Sequence, residues 1–189
     1  MTKLDGVAES RIRANARGLL EAIGEDPDRE GLKDTPSRVA ESYQTIFGGY
    51  GIDPKSVLTV FEEDTSDQMI VCKSIEMYST CEHHMLPFYG VAHIAYLPNK
   101  KIVGLSKLAR VVEIFSRRLQ VQERLTNQIT EALNACLFPK GVGCVIEARH
   151  LCMMCRGVQK QNSSMITSSL KGVFLEDTVK QEFMRLVGF

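Results

Sequence analysis

The apolar pattern of this chain predicts an α+β fold: one antiparallel four-stranded sheet with its helices gathered on one face. Two observations carry that expectation. Strand-length apolar runs occur as two pairs, and between the pairs lie two longer stretches with apolar residues every three or four positions. A third observation sets the N-terminus apart. Its two helical patterns end in an irregular acidic stretch at residues 50–68, dividing the chain into a helical segment, 1–65, and a sheet-bearing domain, 66–189.

The first helix covers residues 5–23, with Val7, Ile12, Ala16, Leu19, Leu20 and Ile23 near helical spacing and Gly24 as its stop. A polar linker follows. The second helix opens with Thr35 as N-cap and Pro36 at the first helical position, where its missing N–H costs nothing, and ends at Gly48-Gly49. Residues 69–79 and 88–97 read as strands, the second closed by the turn Pro98-Asn99-Lys100-Lys101. Residues 102–119 become a helix with the stripe Leu108, Val111, Val112 and Phe115. Residues 120–137 form the next, with Val121, Leu125, Ile129, Leu133 and Leu137. Residues 143–152 and 166–174 supply the last two strands, and residues 175–187 a terminal helix.

Composition excludes several classes. Formal net charge is zero, 23 basic against 23 acidic residues, which argues against a nucleic-acid or membrane-surface role. No apolar run approaches the roughly 20 residues that span a bilayer, and the first residues carry no signal-peptide core. Six cysteines in that setting read as reduced thiols of a cytoplasmic protein, some of them metal ligands.

The chemistry concentrates in two places, Ser79-Thr80-Cys81-Glu82-His83-His84 and His150-Leu151-Cys152. A cysteine and an imidazole three apart, with a remote thiol, is zinc-type spacing. Packing accounts for a single histidine or cysteine, as for His93, Cys72, Cys136 and Cys144, but poorly for two adjacent histidines beside a cysteine. Strand alternation turns His150 and Cys152 to one face and Cys155 to the other. Two ligand sets stand open. Cys81, His84 and Cys152 leave a fourth position to water; adding Cys155 closes a structural Cys₃His site. The open set frees His83 and His150 for proton transfer beside a zinc that lowers the pKa of its water to about 7. Glu82 either orients a ligand or is solvated. Arg38, in the first turn of the second helix, is either an anion contact or a surface residue. Lys107 and Arg110, three apart, share a helix face.

Taken in order, these segments resemble the GTP cyclohydrolase I family across roughly residues 10–185. The matching pieces are Thr35-Pro36-x-Arg38, Cys81-Glu82-His83-His84, Gly104-Leu105-Ser106-Lys107 with Arg110, residues 120–126, His150-x-Cys152, Arg156-Gly157, and Thr167-Ser168-Ser169 before Gly172-Val173-Phe174. The resemblance implies the ββααββ tunnelling fold and a decamer of two stacked pentamers with active sites at subunit interfaces. It implies conversion of GTP and water into formate and 7,8-dihydroneopterin triphosphate, towards folate or tetrahydrobiopterin. It implies Zn²⁺ on Cys81, His84 and Cys152, and proton transfer by His83, His150 and Ser106. Guanine recognition falls to Glu123 with Gln122 beside it. Leu105, Lys107, Arg110 and Arg156 line the substrate, and Arg38 reaches the triphosphate from a neighbouring subunit.

The chain departs from the family at three points. Glu41 stands where some relatives carry lysine, which removes a phosphate contact. Arg118-Leu119-Gln120 replaces Arg-Pro-Gln and softens the break between the middle helices. Cys155 is an additional thiol. Two other readings follow from the same residues: another enzyme of this fold, such as a pterin synthase or a nitrile-reducing relative acting on a deazaguanine, and a non-enzymatic zinc-stabilised binding module. A zinc deaminase would need H-x-E and P-C-x-x-C patterns, which are absent.

Overall fold

Residues 5–63 and 68–189 are described by the computed structural model, so the boundary expected at 65/66 lies outside the described residues. The chain runs α1 (Gly6–Ala22), α2 (Thr35–Ile46), β1 (Val60–Glu62), β2 (Ile70–Cys81), β3 (Pro87–Leu97), β4 (Lys101–Val103), α3 (Leu105–Ser116), β5 (Leu119–Gln120), α4 (Gln122–Leu137), β6 (Gly141–His150), α5 (Leu151–Met154), β7 (Met165–Gly172) and α6 (Asp177–Val187).

Asp5 caps α1, its carboxylate accepting the Ala8 N–H at 2.7 Å, and Gly24 stops it in the left-handed region at φ +87°. The cap of α2 is Asp34 and not Thr35: the Arg38 N–H already donates to the Asp34 carbonyl at 3.0 Å, so Thr35 is the first helical residue and Pro36 the second. β4 takes the residues expected to begin α3. It pairs antiparallel with β1, and Gly104 then starts the helix.

The main sheet has the order β5-β2-β3-β6-β7. Its four long strands are antiparallel, as expected; the two residues of β5 join β2 in parallel, Thr80 opposite Leu119 and Cys81 opposite Gln120. The break between α3 and α4 is therefore firm, contrary to the expectation from Leu119. Arg118 Nε donates to the Ile114 and Gly49 carbonyls at 2.9 and 3.1 Å, and the Leu119 N–H to the Tyr50 hydroxyl at 2.9 Å.

Alternation divides the sheet. Ala92, Ile94 and Tyr96 of β3 and Val142, Cys144 and Ile146 of β6 face the apolar stripes of α3 and α4. Leu125, Ile129, Leu133 and Leu137 are fully buried there, each contributing roughly 1.5–3 kcal/mol. The opposite face holds Ala95 and Val145 beneath Phe174, Phe183 and Val187. The terminal helix α6 thus covers the side away from α3 and α4, because Val179, Phe183 and Val187 recur every four residues and match the odd-numbered residues of the strands.

Two local features mark the strand pairing of this sheet. At Gly90 the backbones of β3 and β6 approach so closely that a Cβ would lie 1.9 Å from the Glu147 carbonyl oxygen. His93 is buried, and its Nδ1 accepts the Ser74 N–H at 3.3 Å across a bulge where Ser74 takes φ +61°. This is the structural role expected of His93.

Candidate active site and metal centre

β2 runs out at Cys81, and a tight turn returns the chain into β3. The Met85 N–H donates to the Cys81 carbonyl at 2.8 Å and the Cys81 N–H to the Leu86 carbonyl at 2.9 Å, with Met85 at φ +52°. That turn brings Cys81 Sγ and His84 Nδ1 to 3.7 Å. On the next strand pair His150 lies opposite Phe88, and the chain then turns into α5, which carries Cys152. Ligand atoms of Cys81, His84 and Cys152 all lie within 4.8 Å of one another. Two thiols and an imidazole are donors that suit zinc-type ions, so the residues fit a metal.

The strand argument for Cys152 and Cys155 does not hold, because β6 ends at His150 and Cys152 sits on a helical turn. Cys155 is exposed, its thiol bonded to the Leu151 carbonyl at 3.0 Å, and it is not part of the cluster. Burial first, then the adjacent Cys81 sulfur, pushes the Cys152 thiol up; the charge of Arg156 pulls it back.

The two remaining imidazoles differ in setting. His83 is exposed, edge-on to His84, with Nε2 3.9 Å from the Glu82 carboxylate. His150 is half-buried and stacks flat on Phe88, centroids 4.6 Å apart and planes 3° apart. Burial holds its pKa below the ordinary imidazole value, while the charge of Glu123 opposes that shift. Glu82 is paired rather than solvated. Both its oxygens engage Arg124, one at 2.9 Å, and that guanidinium holds the carboxyl below its ordinary range. Its N–H donates to the Gln120 carbonyl at 3.0 Å, which fastens the metal turn to β5.

Glu123 is exposed in the first turn of α4. Gln122, expected beside it as a substrate contact, is 1% exposed with its amide engaged inside the chain. Leu105, Ser106 and Arg110 are exposed and Lys107 half-buried on the opening turns of α3, which has no side-chain cap. Lys107 and Arg110 form no ion pair among the described residues. Arg156 is exposed beyond α5. Arg38 is 70% exposed at the start of α2 and lies 3.4 Å from Asp34.

Phe88 and Arg124 escaped the sequence reading. Counting the hairpin register from Cys81 would have set Phe88 at the site end of β3, and Arg124 directly follows Glu123 with the charge that Glu82 lacks.

Comparison with known proteins agrees with this geometry. The family model described as GTP cyclohydrolase I matches residues 12–188. A GTP cyclohydrolase 1 from Leptospira biflexa is 56% identical over 172 residues, 89% of this chain and 93% of its own. That from Chlorobium phaeovibrioides is 57% identical over 172 residues, 89% of this chain and 77% of its own. That from Porphyromonas gingivalis is 53% identical over 181 residues, 95% of this chain and 93% of its own. With more than nine-tenths of its length matched and its metal-ligand candidates converging, the chain belongs to the GTP cyclohydrolase I family.

Proposed function

We propose that this chain catalyses zinc-dependent hydrolysis of GTP at C8 of guanine, releasing formate and giving 7,8-dihydroneopterin triphosphate, the first step towards folate or tetrahydrobiopterin. The observation that carries this reading is the convergence of Cys81, His84 and Cys152. Zinc held by those three supplies Lewis-acid polarisation and a water acidic enough to ionise near neutral pH.

The side chains do the rest. Glu123 accepts the adjacent N1–H and N2–H donors of guanine; adenine lacks that pair and would leave the carboxylate unsatisfied. His150, whose pKa burial holds below the ordinary imidazole value, exchanges a proton at the imidazole ring of the base, with His83 as the second carrier. Ser106 and His83 move protons during the ribose rearrangement. The uncapped N–H groups of α3 with Lys107 and Arg110, joined by Arg156, take the triphosphate, and Leu105 lines the substrate.

The working unit is a homodecamer of two pentamers in the cytoplasm, where thiols stay reduced. In support, among the described residues β2 is paired on its outer side only at Thr80 and Cys81, and β7 ends the sheet, so two strand edges are open to neighbouring copies. The exposure of Arg38 agrees with a contact across such an interface.

The test is incubation of zinc-loaded protein with GTP, assaying formate and the fluorescence of the oxidised pterin. Product from the wild type, and none from Cys152→Ala or chelator-treated protein, is expected. No product from the zinc-loaded oligomer refutes the reading.

A further inference from the structure

We infer that Gln122 is a positioning residue: it fixes the protonated nitrogen of His150 and so makes Nδ1 the atom through which that imidazole exchanges a proton. The inference deepens the role given to His150 above and rests on it.

The Gln122 amide nitrogen lies 3.0 Å from the Ile146 carbonyl, 2.9 Å from the Met165 carbonyl and 3.1 Å from the Thr167 hydroxyl. Backbone carbonyls only accept, so the nitrogen must face them and the amide cannot be reversed. Its oxygen therefore faces His150, 2.8 Å from Nε2. An amide oxygen also only accepts, so the proton must sit on Nε2. In the neutral ring Nδ1 then carries the free lone pair.

Neighbouring groups hold this arrangement in place. Thr126 Oγ1 donates to the Gln122 carbonyl at 2.7 Å, so at the 2.7 Å contact between Thr126 and Thr167 the Thr167 hydroxyl is the donor, leaving its oxygen to accept from Gln122. The Phe88 ring fixes the plane of the imidazole. At 1% exposure, with both ends of its amide occupied, the Gln122 side chain is turned into the chain. It neighbours Glu123 in the sequence but does not share its role.

The tautomer can be read directly. Metal-loaded protein with ¹⁵N-labelled histidine, examined by long-range ¹H–¹⁵N correlation and assigned against His150→Asn, should show His150 protonated at Nε2 and bare at Nδ1. Protonation at Nδ1 in the neutral ring overturns the proposal. This measurement needs no variant at Gln122, and it decides the tautomer whether or not GTP is turned over. Absence of turnover would instead count against the functional reading.

Kinetics supply the second arm. Gln122→Met, which keeps the volume, should lower kcat on the order of 10- to 100-fold, part of what a positioned acid–base group contributes, with KM for GTP unchanged. Thr130→Val breaks the 2.7 Å Thr130–Ser169 hydroxyl pair in the same helix–strand seam without touching Gln122, and should retain kcat. A raised KM with kcat kept in Gln122→Met would make Gln122 a substrate contact. An equal loss of kcat in Thr130→Val would make the effect one of packing. Either outcome overturns the proposal.

Discussion

Loading the cluster with zinc should release at least two protons, one from each thiol, and the pH dependence of affinity counts them. A thiol binds metal only as thiolate, so each sulfur ligand sheds a proton that an ordinary thiol still holds at pH 7. Cys152 holds its proton more firmly than usual, for burial and the Cys81 sulfur both raise it. Two sulfurs, Cys81 and Cys152, lie in the cluster. Protons and zinc compete for the same lone pairs, so acid weakens binding. Between about pH 7 and 8 the apparent affinity should rise about 100-fold per unit, each proton contributing about 1.4 kcal/mol. Competition against a chromophoric chelator of known protonation, at fixed ionic strength, gives the slope; indicator dye in weak buffer gives the proton count. Cys155→Ser should change neither. A slope that Cys155→Ser lowers would bring Cys155 into the ligand set, and a slope near one would remove a thiol from it. Both refute the three-donor site.

Glu123→Gln exchanges a charged acceptor for one that also presents an N–H to guanine. With charged hydrogen bonds worth roughly 1.5–3 kcal/mol, kcat/KM for GTP should fall about 10- to 100-fold; unchanged kcat/KM would take base recognition away from Glu123. Phe88 is fully buried against His150, so Phe88→Ala should cost about 3–5 kcal/mol in urea unfolding at fixed metal, and a loss under about 1 kcal/mol would contradict the packing. Burial also lowers the pKa of His93, so the unfolded chain binds its proton more readily than the folded one. The stability it contributes is complete above about pH 6.5 and is lost as pH falls through the lower folded value. The denaturation midpoint should drop on acidification, less steeply in His93→Gln; identical profiles would refute this.

The ligand set was legible because it is written in residue type and short spacing: Cys81 and His84 are three apart on one turn, and Cys152 is the thiol nearest His150 in sequence. The long elements were legible because burial imposes a period, as in Leu125, Ile129, Leu133 and Leu137. What stayed hidden depends on backbone pairing or distant partners. β5 and β4 are too short to show a period, and their places come from hydrogen bonds to β2 and β1. Cys152 looked like a strand residue because alternation in β6 runs up to His150 and nothing local marks the turn into α5. Gln122 and Glu123 are adjacent on α4, yet one points into the seam with β7 and the other outward. Only the packing of α4 on the sheet separates them.

The two residues of β5 also bear on how this gene can change. In the connection from Ser116 to Gln122 length matters as well as composition: the Arg118 and Gln120 side chains are bonded in place, and β5 fixes the register. The register rests on main-chain groups of Leu119 and Gln120. An inserted or deleted residue there would move the carbonyl that receives the Glu82 N–H and shift the turn bearing Cys81 and His84. Insertions and deletions should be purged from this connection, a pattern opposite to that of an ordinary interhelical loop.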